Sequence, residues 1–279
     1  MRHHYFMRAL PILALVVSPL VANPAWAVLQ GVPSRDPDGL RRSVVSIESS
    51  TGELCSGVVI GVDVVLTAAH CMTDRAAYRV TALNRAFKPQ RFNVTALAAH
   101  PTFVPGTTPR TQPGIDLAVV KLDRPLGVDF LPLDPRQAGR IDVGDQVTIA
   151  GFGVLSEKAR STARTLRHTR LVSLGPVQVA NRVQIVADGS KLAETTGAGA
   201  CRGDSGGPIL AESSDGYQLY GITSWSSGAL RTRTRSACGG LTAVTPLADH
   251  LGWIASSMRS LDAANGVWTG GQPPSSSRR

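Results

Sequence analysis

Three short segments of this 279-residue chain carry side chains that could do chemistry together. In Leu66-Thr67-Ala68-Ala69-His70-Cys71, a histidine closes an apolar run beside a cysteine. In Asp116-Leu117-Ala118-Val119-Val120-Lys121-Leu122, an aspartate opens a nearly continuous apolar stretch. Gly203-Asp204-Ser205-Gly206-Gly207-Pro208 sets a serine among glycines. A serine hydroxyl is a poor nucleophile at neutral pH and needs a base within hydrogen-bond reach as it attacks a carbonyl. Taken singly, the three segments read more plainly as a core histidine, a turn aspartate and a tight loop.

The elements that must hold these groups are strands. From Val44 onward, short apolar runs alternate with turn signals: Val44 to Ile47, Gly57 to Leu66, Phe92 to Ala98, Leu117 to Leu122, Val147 to Ala150, Leu171 to Leu174, Val183 to Val186, Pro208 to Leu210, Tyr217 to Trp225 and Leu241 to Val244. Helical period is confined to Pro246 to Leu261, with Leu247, Leu251, Ile254, Met258 and Leu261 on one face. Many short strands and one terminal helix predict an all-β fold of sandwiches or barrels. Leu131-Pro132-Leu133-Asp134-Pro135 joins two halves of similar size. The expected division is a leader over 1–27, an N-terminal half over 28–135, a C-terminal half with its helix over 136–262, and a disordered tail over 263–279.

Composition bounds the function. At 43% hydrophobic and 18% charged residues the chain is globular, and not a disordered or collagen-like polymer. Its charge of +9 comes almost wholly from 25 arginines against 4 lysines. They are scattered, with no basic stripe or nucleic-acid motif, so they read as a solvated surface and no nucleic-acid partner is expected. Arg2, His3, His4 and Arg8 precede an apolar run from Ala9 to Val21, and Ala25-Trp26-Ala27 then offers small residues at a cleavage site. This is the pattern of a secretory signal peptide; the run is too short to span a bilayer, so no membrane association is expected after its removal. Losing Arg2 and Arg8 with it leaves a charge of +7. Export to a secreted or periplasmic location suits the four cysteines, Cys55, Cys71, Cys201 and Cys238, which permit three disulfide pairings. Inert thiols and metal ligation remain the alternatives, the latter without C-x-x-C spacing or a histidine cluster.

Together the three segments resemble the chymotrypsin-like (trypsin-like) serine proteases, whose motifs T-A-A-H-C, D-[IL]-A-[LV] and G-D-S-G-G-P they match in the same chain order. The resemblance extends over about residues 28 to 260, with His100-Pro101-Thr102-Phe103, Gly151-Phe152-Gly153 and Ser224-Trp225 as weaker landmarks. It implies two six-stranded antiparallel barrels with the active site in the cleft between them. It implies also that Ser205 is the nucleophile, His70 its base and Asp116 the group that fixes the imidazole tautomer. The backbone N–H groups of Gly203 and Ser205 would form the oxyanion hole. No metal or organic cofactor is implied. The acidic calcium loop of many relatives has no counterpart, since Thr81 to Gln90 contains no Asp or Glu. The implied disulfides are Cys55–Cys71, beside the histidine, and Cys201–Cys238, bracing the specificity pocket.

Counting back from Ser205 as in the family, Gly199 falls at the pocket base and Ala200 beside it, with Arg202 at the mouth. By the same resemblance Ser224, Trp225 and Ser226 would line the substrate cleft. Trypsin-like members place an aspartate where Gly199 stands, so apolar residues rather than Arg or Lys are expected before the scissile bond. Signal removal after Ala27 would expose Val28, whose α-amino group would pair with Asp204. Protein or peptide substrates, protein inhibitors and a monomeric state complete the expectation. Two rivals stand beside it. One is a catalytically inactive homologue acting as a binding protein. The other is an α/β-hydrolase esterase, because the same serine segment satisfies G-x-S-x-G and Asp249-His250 lies downstream in that family's triad order; against it, Asp249 and His250 read instead as surface residues of the terminal helix.

Overall fold

The computed structural model describes residues 28–73, 75–214, 216–231 and 236–263. The expected signal peptide and the tail from 264 onward lie outside the described residues. Strands β1 (Val32–Pro33), β2 (Val44–Ser49), β3 (Leu54–Gly61), β4 (Val64–Thr67), β5 (Tyr78–Leu83), β6 (Pro89–Ala99) and β7 (Ala118–Leu122) precede the midpoint. After it come β8 (Gln146–Gly151), β9 (Arg167–Gln178), β10 (Arg182–Ala187), β11 (Pro208–Ser213), β12 (Gly216–Ser226), β13 (Thr242–Pro246) and the helix α1 (Leu251–Ala263).

These strands form two closed antiparallel barrels of six. The first runs β2-β3-β4-β7-β6-β5 and closes where β5 pairs with β2. The second runs β9-β10-β13-β12-β11-β8 and closes through β8 and β9, with β1 added to the outside of β9. Closure leaves neither barrel a long unpaired edge. Val58, Val59, Leu66, Val119 and Val120 are buried in the core around the first barrel, and Ile149, Val186, Ile209 and Val244 in that of the second. The predicted all-β architecture is therefore the one observed.

Local differences have physical causes. The apolar run Gly57 to Leu66 is two strands, because Val62 and Asp63 turn the chain between β3 and β4. Strand β5 appears where none was expected, and buries Tyr78, Val80 and Ala82 in alternation. The helix starts at Leu251 rather than Pro246, since Thr242–Pro246 is strand and residues 247–250 form the turn between. Asp249 and His250 thus belong to that turn. His250 is half-buried, its ring edge-on to His100 at 5.4 Å, so the surface-residue reading holds for Asp249 alone. Gly206-Gly207 leads into β11 instead of a helix, which removes the α/β-hydrolase alternative.

Helix α1 follows the second barrel in sequence but packs on the first. Ile254 and Leu261 join the first barrel's core, and Lys121 of β7 pairs with both Asp262 of the helix and Asp63 at 2.9 Å. The barrels also meet at Ser56 of β3. Its N–H donates to the Ser205 carbonyl at 2.8 Å and its Oγ to the Gly203 carbonyl at 2.8 Å. The Gly203–Ser205 segment is thereby held against the first barrel.

Candidate active site

The two histidine and aspartate segments arrive from neighbouring strands. Thr67 of β4 pairs with Ala118 of β7, so the chain just after β4 and just before β7 come side by side. His70, in a short 3-10 turn, donates its backbone N–H to Asp116 Oδ1 at 2.9 Å, and its Nδ1 lies 2.8 Å from Asp116 Oδ2. Asp116 is fully buried. Burial works to raise its pKa, but the His70 charge, hydrogen bonds from His70 and one from Ser224 Oγ at 2.5 Å hold it below the usual carboxylate value. An ionised Asp116 fixes the proton on Nδ1 and leaves Nε2 as the face that can accept one.

Ser205 comes from the second barrel. Its carbonyl lies 3.8 Å from Cys71 Sγ, and His70 Nε2 lies 3.7 Å from the same sulfur, so the two residues flank the Cys55–Cys71 bridge. The Ser205 hydroxyl donates to the Ser224 carbonyl at 3.3 Å, and not to His70. Free active sites commonly hold such contacts loosely until substrate arrives. The turn around Ser205 demands glycine twice. Gly206 has φ +82°, and a Cβ there would lie 2.1 Å from Thr67 Oγ1 and 2.2 Å from the Ser56 carbonyl oxygen. Gly203 has φ +95°, and its Cβ would meet Gly153 Cα at 2.9 Å. Around them Asp204 N bonds the Cys201 carbonyl and Gly206 N the Thr223 carbonyl. Among the described residues the N–H groups of Gly203 and Ser205 meet no acceptor, so both are available to an incoming oxyanion.

Asp204 is also fully enclosed. Burial pushes its carboxyl up to about 7, against hydrogen bonds from the Cys201 N–H at 2.9 Å and the Gly153 N–H at 2.8 Å and the charge of Arg167. Val28 is fully buried among Ile141, Val147, Val186, Ala198 and Ala200. The next residue, Leu29, exchanges both backbone hydrogen bonds with Gly199, at 2.8 and 3.1 Å. The start of the described chain is thus stitched to the segment that carries Ala200 and Cys201.

The Cys201–Cys238 disulfide ties that segment to the chain before β13, and Ala200 donates its N–H to Thr242 Oγ1 at 3.1 Å. Ser226 Oγ donates to the Ala237 carbonyl and Gly240 N–H to the Ser227 carbonyl at 2.8 Å, joining the end of β12 to the same stretch. Arg202 is exposed and pairs with Glu157 at 3.5 Å. Two contacts went unsignalled by sequence. Ser224, expected to line the cleft, also gives its hydroxyl to Asp116, and Arg110 lies against Trp225. Each partner is more than 100 residues away along the chain, and no local spacing encodes such pairs.

The sequence model of the family described as Trypsin matches residues 31–251. Trypsin iota of Drosophila melanogaster is 29% identical over 190 residues, covering 65% of this chain and 71% of its own length. Phenoloxidase-activating factor 3 of Holotrichia diomphalia is 28% identical over 247 residues, 74% of this chain and 64% of that protein. Vitamin K-dependent protein C of Oryctolagus cuniculus is 26% identical over 243 residues, and the match spans 79% of this chain but half of that protein. Human heparin binding protein shares the fold, with a TM-score of 0.63 at 20% identity, covering 88% of this chain and 99% of that one. An atomic-resolution structure of HBP gives a TM-score of 0.61 at 20% identity over 83% of this chain and 96% of that one.

Proposed function

Because this chain belongs to the trypsin family, we propose that it is an exported serine endopeptidase, working through an acyl-enzyme formed on Ser205. The supporting observation is the buried Asp116 2.8 Å from a part-exposed His70, set beside a serine on a glycine-forced turn with free backbone donors. In this reading a peptide carbonyl enters between the halves 28–135 and 136–262, and Ser205 Oγ turns from the Ser224 carbonyl to His70 Nε2. As Oγ bonds to the carbonyl carbon, its proton passes to Nε2, and the oxyanion is received by the N–H groups of Gly203 and Ser205. His70 then gives that proton to the leaving amine. Water repeats the sequence with His70 as base, releasing the acid and restoring the serine. Asp116 stays ionised throughout and stabilises the imidazolium. Export before residue 28 fits the two disulfides, Cys55–Cys71 and Cys201–Cys238.

With Gly199 at the base of the expected primary pocket, a lysine or arginine side chain would enter that pocket without a counter-charge, which is unfavourable. Apolar residues before the scissile bond are the expected substrates. A Cβ at Gly199 would make only ordinary contacts, with Gly239 Cα at 3.4 Å and Thr242 Oγ1 at 3.6 Å. Gly199→Asp should therefore fold and shift cleavage toward Arg and Lys, by about tenfold or more for one charge-assisted contact. Cleavage profiles of parent and variant on one peptide library check this. A parent that already prefers Arg or Lys would refute the assignment of Gly199 to the pocket base.

A further inference from the structure

Strand β12 loses its β11 partner after Ile222, while its pairing with β13 continues through Ser226. The carbonyls of Ser224 and Ser226 consequently point toward the side that β11 has vacated. The first accepts from Ser205 Oγ at 3.3 Å, and the second accepts from Arg110 Nη2 at 3.2 Å. The same guanidinium lies over the Trp225 ring, 5.1 Å from its centroid. Arg110 is the one lysine or arginine between His100 and Asp116. Among the described residues it meets no carboxylate; its partners are the ring and the carbonyl. Its loop is held firmly. Gln112, fully buried, bonds the Val104 carbonyl at 2.9 Å, Thr107 Oγ1 at 2.7 Å and the Gly114 N–H at 2.9 Å, and Asn181 of the second barrel bonds the Gly114 carbonyl at 2.7 Å.

We infer that Arg110 is a specificity residue, selecting peptides with a carboxylate at the second or fourth residue before the scissile bond. The inference rests on the protease reading of the same cleft. An extended peptide with its reactive carbonyl at Ser205 adds antiparallel to the free edge of β12. The residue before the scissile bond then lies opposite Ser224, and the residue two earlier lies opposite Ser226. Cross-strand partners share a face of the pleat, and neighbours alternate. The second and fourth residues therefore lie on the face of Trp225, where the guanidinium is stacked, and the third turns away. A permanently charged, preorganised guanidinium without an acid partner favours a carboxylate there, and the positive charge of the whole chain favours the approach of acidic segments. A bound carboxylate would also draw Arg110 off the Ser226 carbonyl and free that acceptor for the peptide backbone.

The test uses protein beginning at Val28, active sites counted with a serine-directed phosphonate, and peptides differing only by Glu or Gln at the second, third or fourth residue before the bond. The expected ratio of kcat/KM, Glu over Gln, is about three- to tenfold at the second or fourth residue and near one at the third, shrinking in about 0.5 M salt. Arg110→Ala should bring every ratio to one, Arg110→Lys should retain part of the preference, and Arg110→Glu should favour Lys over Gln. A parent ratio of one at all three positions, or a preference that survives Arg110→Ala, would overturn the inference. Failure of the parent to cleave any peptide would instead overturn the protease reading on which it stands.

Discussion

Ser205→Ala is expected to lower kcat by about four to six orders of magnitude with little change in KM. In the proposed mechanism the hydroxyl supplies the only atom that forms a covalent bond to substrate, and His70 and Asp116 act through it, so removing it would disable all three. What remains is the free N–H pair at Gly203 and Ser205 and the binding surface, which together leave some rate above that of water. The fold should survive. The lost hydrogen bond to the Ser224 carbonyl is long, at 3.3 Å, and a single such bond contributes about 1 kcal/mol. Thermal unfolding of the variant therefore separates lost chemistry from lost structure. Casein hydrolysis by the variant at the parent's rate would show that another group is the nucleophile.

One extra residue placed before Val28 should cost the next largest factor, about 100- to 1000-fold in kcat/KM. Asp204 sits directly before Ser205, enclosed, with a carboxyl that burial pushes up to about 7. The stabilising contribution of such a group is complete below the ordinary carboxylate pKa and is lost as pH rises through about 7. At neutral pH a chain continuing upstream of Val28 thus leaves this carboxyl only partly ionised and without an ammonium partner, and a missing partner costs a buried pair about 3–5 kcal/mol. A free Val28 α-ammonium reverses the sign. The paired carboxylate is then depressed and contributes above its unfolded value, while the amino group is raised above about 7.7–8.0 and contributes until pH passes its folded value. Protein beginning at Val28 should accordingly unfold at higher temperature than the extended protein between about pH 5 and 8, with the gap closing on either side. Equal stability and equal activity across that range would show that a free Val28 terminus does not organise the turn at Gly203.

The strands that carry the site were legible because their residues speak locally. Leu117 to Val120 is an unbroken apolar run since β7 is covered on both faces, and the turn around Ser205 announces itself through Gly203 and Gly206, where a Cβ has no room. Strand β5 could have been found, as Tyr78, Val80 and Ala82 alternate with Arg79 and Thr81, but its period-two signal is only six residues long. The turn at Val62-Asp63 was hidden by valines on both sides, and Val62 is exposed there despite its apolar side chain. Closure of the second barrel by β8 and β9, the hydroxyl of Ser224 on Asp116 and the stacking of Arg110 on Trp225 depend on contacts between distant segments. Such pairings are decided by how two barrels dock, and hydrophobic pattern and motif spacing do not record that.

The most direct test of nucleophilic catalysis by Ser205 is covalent labelling of the protein that begins at Val28, with a serine-directed fluorophosphonate, read by intact mass and peptide mapping. The proposed mechanism predicts one adduct per chain, located on the peptide containing Ser205, absent in Ser205→Ala and strongly slowed in His70→Ala. A folded protein that acquires no adduct at Ser205, or labels at the same rate without His70, would contradict it.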